Sequence, residues 1–218
     1  MYKTLFNFIT NPYIPERKNP SIIDLIKLYG IFLLAYIPLI LIISVGSKEL
    51  GITRVNFSEK STIFIVYGVF LAPVIEEFIF RSWFKWSRKN SIILIILFVA
   101  LIVLSFIRTK TLIYVAVMFI LGVIFFSISK SLKHEISELI STNIKYFYWG
   151  SSIVFGMIHA SNFVGNIWCL IGFSFILGSP QIVAGLIFGY IRLNYGLRYS
   201  ILIHVFNNSL LLFSLFHK

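Results

Sequence analysis

Residues 61–83 read STIFIVYGVFLAPVIEEFIFRSW, and this stretch decides both the fold and where the chemistry is to be sought. Residues 61–75 carry no charge, and the whole run is long enough to cross a bilayer, which takes about 20 mostly apolar residues as a helix. Near its end stand Glu76, Glu77 and Arg81. An ionised side chain at mid-bilayer costs roughly 2.5–3.5 kcal/mol even on lenient insertion scales. Two adjacent carboxylates in such a run therefore mark a site, whether hydrolytic, transporting or structural.

Composition fixes the surroundings. Of 218 residues, 58% are hydrophobic and 12% charged, with a mean hydropathy of +0.92. These values lie outside the range of soluble globular proteins and point to a polytopic membrane protein. The net charge of +11 does not point to nucleic acid, because the positive residues sit in short connectors between apolar runs. The positive-inside tendency and anionic headgroups place them there. The expected partners are the lipid bilayer and a membrane substrate, with no nucleic acid. The single cysteine, Cys169, excludes an internal disulfide and, lying in an apolar run, reads as packing.

The expected fold is all-α, a polytopic membrane helical bundle of eight transmembrane helices. The spans fall at 26–45, 62–83, 91–107, 111–128, 146–164, 166–178, 180–195 and 199–216. The sixth and seventh are short for full crossings, and Gly172, Gly178, Pro180, Gly185 and Gly189 punctuate them. Tightly packed small-residue helices and partly re-entrant backbone both fit that pattern. Between Lys130 and Lys145, Leu132, Ile136, Leu139, Ile140 and Ile144 recur at helical spacing, as in an amphipathic helix at the interface.

No small-residue cleavage site follows the first apolar run, so that run is expected to be a retained span rather than a signal peptide. Residues 1–25 then form a cytoplasmic N-terminal arm and 26–218 a single transmembrane domain. With the N-terminus inside, the cytoplasmic connectors and termini carry eleven Lys and Arg against seven on the other side, Arg81 set apart. Trp83 and Trp86 beside Lys85, Arg88 and Lys89 mark an aromatic boundary. The expectation is a multi-pass protein of the plasma membrane with both termini cytoplasmic.

Polar residues inside the apolar runs carry the functional reading. Glu77 and Arg81 are four apart and share a helix face, whereas Glu76 is turned about 100° from Glu77. Glu77 is thus neutralised by Arg81, and Glu76 is left to face a cavity as a general base toward water. Pro73 leaves a carbonyl one turn earlier without its helical donor. Phe155 and His159 are four apart in SSIVFGMIHAS (151–161), and His204 and Asn208 in SILIHVFNNSL (200–210). Together these supply a base, imidazoles able to orient water or bind metal, and donors for an oxyanion. His134 and His217 lie in a connector and the tail and do not join the set.

In this order, the EExxxR of Glu76, Glu77 and Arg81, the FxxxH of Phe155 and His159, and the HxxxN of His204 and Asn208 resemble the three signature motifs of the CPBP (CAAX protease and bacteriocin-processing, or Abi) family of intramembrane proteases. APVIEEFIFR resembles the family's first motif and GLIFGYIRLNYGLRYSILIHVFNN its C-terminal core, so the likeness covers about residues 60–213. Ser82 departs from it, since many members carry glycine there.

The resemblance implies an intramembrane endopeptidase acting on a prenylated CAAX-type protein or a bacteriocin or leader-like peptide. Glu76 would activate water with help from His159. His204 and Asn208 would stabilise the oxyanion, while Glu77, Arg81 and Phe155 support the site, with Glu77 and Arg81 also able to touch substrate. Members are read both as metalloproteases and as glutamate-dependent proteases. No cofactor is expected, and if zinc is used its ligand candidates are Glu76, His159 and His204. Two other readings are a non-catalytic immunity or scaffold protein on the same fold, and a transporter relaying protons through Glu76 or Glu77. The transporter reading lacks the two related halves with interrupted helices that it requires. Counted along straight spans, Glu76 and His204 differ by ~13 Å in depth.

Overall fold

Ser21 starts the longest helix. Its Oγ accepts the Asp24 N–H and the Asp24 carboxylate accepts the Ser21 N–H, both at 3.1 Å, which satisfies two of the orphan donors at a helix start. The computed structural model describes residues 2–55, 66–85, 92, 93, 96 and 133–216. Among these the chain is mostly helical. In chain order the helices are α1 (Tyr2–Thr10), α2 (Ile22–Glu49), α3 (Ala72–Arg81), α4 (Lys133–Thr142), α5 (Ile144–Ile158), α6 (Ile167–Gly172), α7 (Ser174–Leu177), α8 (Ser179–Asn194) and α9 (Leu197–Phe216). A two-stranded antiparallel ribbon, absent from the sequence reading, pairs β1 (Thr53–Arg54) with β2 (Phe163–Val164).

Among the described residues, α2 alone is long and apolar enough to cross a membrane by itself. Leu28, Phe32 and Tyr36 bury one side of it in the bundle, while Leu34, Ile37, Leu41 and Val45 point outward. An open apolar face of that length is stable against hydrocarbon and costly against water. The expected spans at 91–107 and 111–128 lie outside the described residues apart from 92, 93 and 96, as do 62–65, Trp86, Arg88, Lys89, Leu132 and His217.

Two expected spans are corrected. The fifth, drawn over 146–164, ends as a helix at Ile158, gives one 3₁₀ turn (His159–Asn162) and then enters β2. The sixth, drawn over 166–178, is two helices of 6 and 4 residues. At about 1.5 Å per residue neither approaches a bilayer's thickness. Asn166 caps α6, with its side chain accepting from the Trp168 and Cys169 N–H groups, so the chain restarts rather than continues.

The centre of the bundle is α5 against α8, and small residues set their spacing. A Cβ on Gly156 would lie 2.3 Å from Ile182 Cγ1 and 2.7 Å from the Gly178 oxygen. Backbone therefore meets backbone there, as in membrane helix pairs built on small residues. Tyr148 of α5 donates its hydroxyl to Leu186 O of α8 at 2.6 Å. Gly196, at φ +110°, makes the turn that brings α9 back beside α8.

The N-terminal segment packs against this core. Leu5 and Phe8 of α1 are buried, Phe8 meets Tyr148 and Tyr190 edge-on, and Trp149 Nε1 donates to Ile9 O at 2.9 Å. Helix α4 buries Ile140 but leaves Leu139 exposed, so its apolar face is narrower than the spacing suggests. His134 is exposed beside Glu138.

Candidate active site

A break in helical register prepares the first motif. Residues Tyr67–Leu71 form a π turn, and the Ala72 N–H reaches back five residues to Tyr67 O. The next donor in that register would serve Gly68 O, but it belongs to Pro73, which has no N–H. Gly68 O is therefore an orphan of the main chain, and Asn208 Nδ2 donates to it at 3.0 Å. The residue expected to stabilise an oxyanion is thus partly committed to the backbone. One of its two amide hydrogens remains.

Glu77 is wholly buried, with every contact to it directed. Its Oε1 accepts from Arg81 Nη1 and from His204 Nδ1 at 3.0 Å, and its Oε2 accepts from Ser200 Oγ. A buried carboxylate is tolerated only when its lone pairs are filled in this way. Arg81 is equally buried, and its guanidinium lies 4.6 Å from the Phe155 ring centre and 5.6 Å from that of Phe188. The same two rings pack on His204, Phe155 edge-on at 5.8 Å and Phe188 at 4.7 Å. Phe155 and Phe188 therefore clamp a cation and an imidazole together.

Glu76, on the next face of α3, keeps 26% of its side chain exposed. Its Oε2 is buried, has no hydrogen bond among the described residues, and stands 3.5 Å from His204 Nε2. The ~13 Å depth mismatch drawn from straight spans is thus absent. Counting residues inward from assumed span ends fails here because the chain leading to Glu76 is not one straight helix: a π turn over Tyr67–Leu71 precedes the 10-residue α3.

His159 sits where α5 gives way to its 3₁₀ turn. Its Nδ1 lies 2.7 Å from Phe155 O and its ring packs on Phe155 at 4.6 Å. Since a carbonyl only accepts, Nδ1 carries the proton and Nε2 of the neutral ring keeps its lone pair. Phe155 thus touches both imidazoles. Glu76, Glu77, Arg81 and His204 form one connected cluster, His159 joins it through Phe155, and Asn208 flanks it at the π turn.

Three contributors were missed from the sequence. Ser200 has the same four-residue spacing to His204 that His204 has to Asn208, a signal present but unused. Arg192, one of the seven charges on the non-cytoplasmic side in the sequence reading, is buried, donating to Arg81 O at 3.0 Å and Ser82 O at 3.1 Å. It caps the C-terminal carbonyls of α3, where a cation also favours the helix dipole. Tyr29 of α2 donates to Asn207 Oδ1 at 3.2 Å, a contact no local pattern announces.

Glu76, His159 and His204 are the zinc-ligand candidates named from the sequence. Among the described residues no three His, Cys, Asp or Glu side chains are grouped to hold a metal ion. His159 and His204 each engage Nδ1, with Phe155 O and Glu77 Oε1 respectively, which leaves Nε2 as the outward nitrogen of both rings.

Compared with known proteins, residues 58–210 match the family model described as Type II CAAX prenyl endopeptidase Rce1-like. No curated protein and no solved structure matches the chain significantly. The matched region takes in Glu76, Glu77, Arg81, Phe155, His159, His204 and Asn208 and covers well over half of the sequence, so the chain belongs to the Rce1-like family of type II CAAX prenyl endopeptidases.

Proposed function

We propose that this protein is a multi-pass intramembrane endopeptidase that hydrolyses a peptide bond in a prenylated, CAAX-type substrate using water activated by Glu76. The observation that carries this reading is the asymmetry of the two glutamates. Glu77 has both oxygens occupied, whereas Glu76 presents an oxygen that is unbonded among the described residues, 3.5 Å from His204. A carboxylate so placed is free to accept a proton.

Water held between Glu76 and the lone pair of His159 Nε2 loses a proton to Glu76 and attacks the scissile carbonyl carbon. As the new C–O bond forms, the carbonyl π pair moves onto oxygen. That oxyanion accepts from His204 Nε2–H and from the second amide hydrogen of Asn208. His204 must then carry protons on both nitrogens, and the Glu77 carboxylate at Nδ1 stabilises that imidazolium. When the tetrahedral intermediate collapses, the C–N bond breaks and Glu76 returns its proton to the departing amine. Arg81 is too buried to meet substrate; it neutralises Glu77.

In the same reading the protease core spans about residues 60–213 of a single transmembrane domain. The protein lies in the plasma membrane with both termini cytoplasmic. Purified protein in detergent should cleave a peptide ending in a prenylated CAAX box, with products identified by mass spectrometry. Activity is expected to survive chelator. Failure to cleave prenylated, unprenylated and leader-like peptides alike would overturn the proposal and favour a non-catalytic immunity or scaffold role.

A further inference from the structure

Ser200 stands outside the three motifs, yet it is fully buried and its Oγ touches Glu77 Oε2. The same oxygen lies 3.0 Å from Phe188 O. One hydroxyl proton faces two acceptors, and the ionised carboxylate is the stronger. The carboxylate torsion of a glutamate is broad and roughly two-fold, so burial alone does not decide which oxygen faces which partner. With Ser200 on Oε2, Oε1 is left to Arg81 and to His204 Nδ1.

Resting on the hydrolytic reading above, we infer that Ser200 is a positioning residue for the reaction: by holding Glu77 Oε2 it keeps Oε1 on His204 Nδ1 and aims Nε2 at Glu76 and the developing oxyanion. Phe188 completes the arrangement from α8, since its carbonyl faces Ser200 while its ring packs on His204. Ser200 itself touches neither water nor substrate. Its loss disturbs the transition state through His204 and leaves substrate binding alone, which separates positioning from general damage.

The test measures kcat, KM and the melting temperature of the full-length protein in detergent for wild type, Ser200→Ala, Ser200→Thr and Ser200→Cys. A lost charge-assisted bond translates to about a tenfold fall in kcat for Ser200→Ala, with KM within about twofold of wild type. Ser200→Thr keeps the hydroxyl and should retain at least about half of wild-type kcat, whereas Ser200→Cys, a weak donor, should fall with Ser200→Ala. Unchanged kcat in Ser200→Ala overturns the inference, as does a raised KM with kcat intact. If Ser200→Ala does not fold, equal kcat in Ser200→Thr and Ser200→Cys overturns it instead. Wild-type cleavage that Glu76→Gln abolishes but Ser200→Ala leaves untouched sinks this inference alone. A wild type that cleaves nothing removes the hydrolytic reading and this inference with it.

Discussion

His204 turns its Nδ1 onto Glu77, 3.0 Å from Oε1, and this contact separates the surroundings of two neighbouring glutamates. The carboxylate fixes which imidazole nitrogen carries a proton and leaves Nε2 facing Glu76 at 3.5 Å. One histidine on α9 thereby reads both faces of α3.

Glu77 is the buried keystone of the charge arrangement, so truncating it should unfold before it informs. Glu77→Ala leaves Arg81 buried without its carboxylate, a change that costs about 3–5 kcal/mol. Thermal or denaturant unfolding in detergent should show a large loss. A melting temperature equal to wild type would mean that Arg81 finds another partner.

Arg192 ties α8 to the end of α3 through two hydrogen bonds to main-chain oxygens. Arg192→Ala is expected to destabilise by about 2–4 kcal/mol, since it removes a charged donor and strands buried carbonyls. Arg192→Lys should recover part of this, because an ammonium lacks the planar fork that reaches two adjacent oxygens. The same unfolding measurement checks both.

The pairing of Asn208 with Gly68 O invites a double-mutant cycle with Pro73. Asn208→Ala strands the carbonyl and should cost about 1–3 kcal/mol. Pro73→Ala restores an N–H that can serve Gly68 O by itself. In that background Asn208→Ala should cost about 1 kcal/mol less, the coupling expected of groups sharing one partner. Strict additivity would show that Pro73 does not create the vacancy Asn208 fills.

Two glycines of α5 make a matched contrast. Gly156→Ala pushes a methyl into backbone atoms 2.7–2.8 Å away, and forcing the helices apart should cost about 1–3 kcal/mol or more. Gly150 has nothing within 4 Å of an added Cβ, so Gly150→Ala should be neutral or stabilise by about 0.4–1 kcal/mol. Melting temperatures of the two variants decide it.

Much of the site was legible because it is written at helical spacing. Glu77 with Arg81, Phe155 with His159, and His204 with Asn208 each declare a shared face, and the 100° offset of Glu76 already places it in different surroundings. The three motifs all lie within residues 58–210, the stretch that matches the family model. What stayed hidden depends on tertiary approach. Nothing local says that Asn208 will meet Gly68, that Arg192 will cap α3, or that Tyr29 will meet Asn207. The span edges were misread for a related reason. Hydropathy records which residues tolerate lipid but not where a helix stops, so the 3₁₀ turn at His159 and the break between α6 and α7 passed as continuous apolar runs.

The most direct measurement compares kcat and melting temperature in Glu76→Gln and Glu77→Gln side by side, with a prenylated CAAX peptide as substrate. Glu76 keeps 26% of its side chain exposed and its Oε2 makes no hydrogen bond among the described residues, so Glu76→Gln should melt with wild type while kcat falls by about 10²–10⁴, the usual contribution of a general base. Glu77→Gln should lose melting temperature as well as activity. A Glu76→Gln variant that still cleaves at near wild-type rate would contradict the assignment of Glu76 as the base that activates water.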